Sequence, residues 1–258
     1  MASNQVYIPP ETYVLGDIIR SFSRLSYLPW KNQVHMALGS ISASQDFKYF
    51  PACDYHSVTS ELLKAPRTKQ TCADLLDKFY KEWARAAGMS EARWGDKTPM
   101  NSFCLDEIFD TFPKAQFVYV QRSPYDVVFS YLRMGRYGTA RDAAARWITS
   151  NQKCIHFRER NRNNVITVNY EKLTARPSEG FACVFDFLGL DFRQELLDTP
   201  SEALPMGDQK VIHYENVNKK ISTDHVGRGR AGLSNFELDE IDNRIKHSKL
   251  PDELYELM

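Results

Sequence analysis

Phe112–Ser130, FPKAQFVYVQRSPYDVVFS, is the stretch whose reading decides the fold. Ala115–Val120 (AQFVYV) is a short run of β-branched and aromatic residues, the composition of a strand covered on both faces. The strand ends at Gln121-Arg122. Ser123-Pro124-Tyr125-Asp126 then supplies a hydroxyl N-cap, a proline at the first helical position and a carboxylate three residues past the cap. A helix is therefore expected to begin at Pro124. On it Val127, Val128, Tyr131 and Leu132 share one side, while about 100° per residue puts Asp126, Ser130 and Arg133 on the other. Arg122 and Ser130 are thus placed to face one ligand. In open α/β sheets ligands bind beyond the carboxyl ends of strands, and an arginine there suits a phosphate.

Outward from this stretch, the 258 residues allow a core that buries roughly 70–75% of the unfolded surface, and one domain is expected over 1–258. Thirty-three basic residues balance thirty-three acidic ones, so there is no general field for a polyanion. Nucleic acid is not an expected partner, and any anion site must be local. The five cysteines are an odd number without CxxC spacing, which argues against a disulfide framework and a zinc site, and reduced, mostly buried thiols are expected. The six histidines show no HxxxH or HExxH pattern, and no metal is expected. The N-terminus has no basic region followed by an apolar one, and no segment approaches about 18 consecutive apolar residues. A cytoplasmic chain without a membrane span is the expectation.

Helical spacing recurs along the chain. Leu75, Leu76, Phe79, Tyr80 and Trp83 mark a helix over 73–87, and Leu105, Ile108, Phe109 and Phe112 a second before Pro113. Residues 139–161 read as a long helix against the sheet, 182–188 and 236–247 as two more, and Asn164–Tyr170 (NVITVNY) as a second strand. Helices alternating with apolar strands imply an α/β fold with a mostly parallel sheet between helical layers.

Four motifs in order, Asp96–Pro99 (DKTP), the R-S-P-x-D-x-x-x-S core from Arg122 to Ser130, Val168–Leu173 (VNYEKL) and Ile221–Ser234 (ISTDHVGRGRAGLS), resemble the sulfotransferases that use 3′-phosphoadenosine 5′-phosphosulfate. The branch containing tyrosylprotein sulfotransferases and related bacterial enzymes is the most similar, its early Glu-Thr motif being echoed by Pro9–Gly16 (PPETYVLG). The resemblance implies a three-layer sandwich of the P-loop-NTPase-like sulfotransferase type. It also implies sulfuryl transfer from 3′-phosphoadenosine 5′-phosphosulfate to a hydroxyl or amine of a small-molecule or peptide acceptor, leaving adenosine 3′,5′-bisphosphate, without a metal. In that family a carboxylate at the position of Glu11 is the base, a lysine at Lys97 stabilises the leaving group and a serine at Ser222 assists. An arginine and serine at Arg122 and Ser130 bind the 3′-phosphate, and a loop matched by Gly227, Arg228, Gly229 and Arg230 closes over it.

The chain departs from that pattern in one respect. Family members carry near the N-terminus a strand and an R-S-G-T-T-like loop whose amides cradle the 5′-phosphosulfate, and only ten residues precede Glu11 here. The expectation is that this strand and loop are missing, either from the sequence as given or from a natural short form. The alternative reading is a non-catalytic or truncated relative that serves as a nucleotide- or partner-binding module. A P-loop kinase is disfavoured because GxxxxGK[ST] is not found.

Overall fold

Parallel pairing between strands far apart in sequence sets the architecture. The computed structural model describes residues 3–44, 46–198 and 220–258, which group into two compact units, 3–115 and 116–198 with 220–258.

In the first unit the elements run β1 (Val6–Tyr7), α1 (Leu15–Arg24), α2 (Trp30–Ser42), α3 (Tyr55–Lys64), α4 (Cys72–Ala86), β2 (Arg93–Trp94) and α5 (Leu105–Thr111). β1 and β2 pair in parallel, Val6 opposite Arg93 and Tyr7 opposite Trp94. α4 provides the centre of the core. Leu75, Leu76, Phe79, Tyr80 and Trp83 recur at three- and four-residue spacing and are all buried. Burying each such side chain stabilises by roughly 1.5–3 kcal/mol. Phe50 packs on Trp83 with ring centres 4.8 Å apart, and the Trp83 indole N–H donates to the Tyr55 hydroxyl at 3.0 Å. The helix starts where Thr71 Oγ1 accepts the Asp74 N–H at 3.0 Å.

In the second unit the order is β3 (Phe117–Gln121), α6 (Pro124–Arg133), α7 (Ala140–Arg160), β4 (Val165–Asn169), α8 (Tyr170–Ala175), α9 (Pro177–Leu188), α10 (Glu195–Asp198), α11 (Arg228–Gly232), α12 (Asn235–Lys246) and α13 (Asp252–Tyr255). β3 and β4 pair in parallel from Phe117 opposite Val165 to Gln121 opposite Asn169. α7 packs against α6 and α12 and buries Ala143, Ala144, Trp147, Ile155 and Phe157, and the Phe117 ring meets Phe157 edge to face at 4.8 Å. Ser234 and Glu237 form a complete capping box at the start of α12.

The fold is α/β with parallel strands. Among the described residues the strands pair as two ladders of two. β1 and β2, at two residues each, are too short to show a period in the sequence. β3 departs from the reading as a strand covered on both faces. Tyr119 and Gln121 are buried, but Val118 is 41% and Val120 51% exposed, so one face is open among the described residues. The cysteines depart as well, because only Cys104 is buried and Cys183 is exposed. No helix among the described residues is long and apolar enough to cross a membrane.

Candidate functional site

The candidate residues fall into two clusters, one in each unit, and each cluster lies just past the carboxyl ends of a parallel strand pair. In the first unit Glu11 follows β1 by four residues and Lys97 follows β2 by three, so pairing of Tyr7 with Trp94 brings their loops side by side. The Lys97 ammonium donates to Glu11 Oε1, and the Tyr13 hydroxyl donates to Glu11 Oε2. Glu11 is 7% exposed, whereas the Lys97 side chain is half exposed. Glu11 therefore does not cap α1, whose N-cap is Val14 with no side-chain bond.

The residues around this pair hold it in place. Asp96 leaves its neighbour Lys97 to Glu11. Its Oδ2 accepts from the Thr12 hydroxyl at 2.8 Å and the Tyr80 hydroxyl at 2.6 Å, and its Oδ1 accepts from Asn101 Nδ2 at 2.6 Å. Burial, then the negative charge of Asp96, pushes the Tyr80 hydroxyl well above the ordinary tyrosine range and keeps it a proton donor. Ser44 Oγ donates to the Thr12 carbonyl at 2.9 Å. With Thr12 pinned on both sides, Tyr13 adopts φ 55°, a left-handed conformation that costs a bulky residue about 1–3 kcal/mol. The roles of Tyr13 and Tyr80 at this pair are not legible in the sequence, because Thr12 meets Tyr80 and Asp96 across 68 and 84 positions and the Tyr13 bond to Glu11 depends on that backbone kink.

In the second unit Gln121 pairs with Asn169, which sets Arg122 beside Tyr170. The guanidinium lies over the Tyr170 ring at 4.4 Å from its centre. Arg122 Nη2 donates to the His225 carbonyl at 2.8 Å, while its buried Nε has no hydrogen-bond partner among the described residues. The Trp147 indole N–H donates to the Arg122 carbonyl at 3.0 Å.

The helix start differs from the reading as a capping box. Ser123 makes no side-chain cap, and its N–H donates to Glu171 Oε1 at 2.9 Å. Asp126 is drawn to a distant loop instead, accepting the Gly227 N–H at 2.9 Å and the Gly229 N–H at 2.7 Å. Ser130 is half-buried on the same helix, four residues from Asp126 and so on its face.

Across the candidate glycine-and-arginine loop, Gly227 and Gly229 turn their amides to Asp126, and Arg228 is exposed. Arg230 lies over the Tyr125 ring at 4.0 Å and donates to the Met258 carbonyl at 3.1 Å. Ser222 belongs to the same unit, where its hydroxyl donates to Asp224 Oδ2 at 2.9 Å. The geometry thus joins Glu11 to Lys97, and Arg122 through the His225 carbonyl to the loop. Among the described residues no group of histidines, cysteines and carboxylates could hold a metal ion.

No curated protein matches the chain. Two solved structures are similar along nearly its whole length. The sulfotransferase domain from the Synechococcus PCC 7002 olefin synthase superposes with a TM-score of 0.58 at 21% identity, covering 97% of this chain and 88% of that one. The sulfotransferase domain from the curacin biosynthetic pathway gives 0.52 at 16% identity, covering 96% and 90%. These likenesses show the fold. The model of the Sulfotransferase family matches residues 3–194, well over half of the chain, and on that match the chain belongs to the sulfotransferase family.

Proposed function

We propose that this sulfotransferase moves a sulfuryl group from 3′-phosphoadenosine 5′-phosphosulfate to a hydroxyl or amine of a small-molecule or peptide acceptor. The observation that carries the donor half is Arg122. Its guanidinium sits at the carboxyl end of a parallel strand, stacked on Tyr170, with a buried Nε that has no hydrogen-bond partner among the described residues. A buried unpaired donor on a cation is costly and is satisfied by an anion. The residues therefore fit a phosphate group, with Ser130 supplying a hydroxyl and Arg228 and Arg230 further charge. Gly227 and Gly229 allow their loop to lie close.

When bound, the donor supplies an activated sulfuryl group on a phosphate leaving group. Glu11 takes the proton from the acceptor, and Lys97 neutralises charge growing on the leaving group. The resting pair between them gives this division of labour a sequence. As Lys97 turns from Glu11 toward a more negative partner, Glu11 Oε1 is released to act as a base. Tyr13 keeps hold of Oε2 and fixes the carboxylate's direction. Ser222 keeps the assisting role that the resemblance gives it. In this reading the cationic side chains do what a metal ion does in many phosphoryl transfers.

Calorimetric titration with adenosine 3′,5′-bisphosphate tests the donor half. The wild-type chain is expected to bind with micromolar affinity, and Arg122→Ala to bind about 10- to 100-fold more weakly, the range for a lost hydrogen bond to a charged group. A wild-type chain that does not bind, or an Arg122→Ala variant that binds equally well, overturns the reading.

A further inference from the structure

Asp126 lies in the first turn of α6, yet it serves a loop 101 and 103 residues further along the chain. It is 2% exposed, and both of its oxygens accept backbone N–H bonds, Oδ1 from Gly229 at 2.7 Å and Oδ2 from Gly227 at 2.9 Å. A buried carboxylate persists only where it is hydrogen-bonded and paired. The loop meets the first condition, and Arg122 Nη2, 3.9 Å from Oδ2, the second. The helix start does not need the carboxylate, because Glu171 has taken the Ser123 N–H.

The loop is shaped to the same contact. Gly227 has φ 77°, a left-handed conformation that presents its amide to Asp126 without strain. Gly229 lies so close to α6 that a Cβ would fall 2.2 Å from the Tyr125 carbonyl carbon and oxygen. Two side chains fasten the ends, Arg122 on the His225 carbonyl and Arg230 over the Tyr125 ring.

We infer that Asp126 is a positioning residue for nucleotide recognition. It seats the loop 225–230 on α6, so that Arg228 and Arg230 are carried by the helix that bears Ser130 and directly follows Arg122. The inference rests on the proposed nucleotide site and adds a residue to it. Asp126 itself does not touch the nucleotide. It engages the glycine amides, which leaves the exposed Arg228 guanidinium as the loop's reach toward a 3′-phosphate.

The test compares Asp126→Asn and Gly229→Ala with the wild-type chain. Asparagine keeps the shape of Asp126 but turns an N–H₂ toward one of the amides, and the alanine methyl lifts the loop from the other side. Both variants are expected to exchange the Gly227 and Gly229 amide hydrogens faster. Both should also bind adenosine 3′,5′-bisphosphate about tenfold or more weakly, while affinity for adenosine 5′-phosphate, which lacks the 3′-phosphate, stays the same. Equal loss for both nucleotides means general damage and overturns the inference. So does unchanged bisphosphate affinity, whatever the exchange. Should the wild-type chain bind no bisphosphate, the nucleotide reading falls, and the exchange measurement still decides whether Asp126 seats the loop.

Discussion

Glu11 is gripped at both oxygens, by Lys97 at one and the Tyr13 hydroxyl at the other. Glu11→Gln keeps the shape and the bond from Tyr13 but cannot take up a proton. Turnover of an acceptor is therefore expected to fall about 10²- to 10⁴-fold, the usual worth of a general base, with far-UV circular dichroism unchanged. Turnover within a few-fold of wild type excludes Glu11 as the base. The same residues mark what could be read without coordinates. Glu11 and Lys97 stand in short motifs, PPET and DKTP, whose residue types carry the chemistry. Tyr13 lies within PPETYVLG and Tyr80 on a helix face, but neither pattern marks their role, because it comes from strand pairing that brings Trp94 opposite Tyr7.

Elements were legible where their signals are local. α4 and α7 open on Thr71 and Thr139, each of which accepts the N–H of an aspartate three residues on, and their apolar spacing gives the buried face directly. α6 opened where Pro124 placed it, but its cap failed as a local device because a glycine loop competed successfully for Asp126. The strand pairs β1 and β2 were lost to their shortness. Packing between elements is likewise beyond local reading. Where α1 meets α5, a Cβ on Gly16 would fall 2.4 Å from the Cys104 sulfur. Gly16→Ala is thus expected to destabilise the chain by about 1–3 kcal/mol, as overpacked cores do. Adding Cys104→Ala should recover most of that loss, a non-additivity visible in urea midpoints. Simple addition of the two effects would show that the contact does not limit α1.

Over the whole molecule, charge balance makes titration at the alkaline end a matter of particular groups that are wholly or partly withdrawn from solvent. Burial pushes the thiols of Cys104 and Cys154 up to about 11 from 9.0. Each ionises earlier in the unfolded chain than in the folded one. Their contribution to stability is therefore complete below pH 9 and is lost as pH rises toward 11. Urea midpoints are expected to fall across that window, and to fall less in a Cys104→Ala, Cys154→Ala double variant. An equal fall in the two chains would mean that other groups set the limit.

The tryptophans are divided unevenly between the units: Trp30, Trp83 and Trp94 belong to the first and Trp147 alone to the second. The indole of Trp147 is 4% exposed and tethered to the backbone carbonyl of the arginine on which anion recognition is proposed to rest. Indole emission responds to charge and polarity within a few ångströms, so the second unit carries a native optical probe at its most informative backbone position. Replacing the other three with phenylalanine would leave a single-tryptophan protein in which occupancy beside Arg122 is followed by indole fluorescence, with no dye attached.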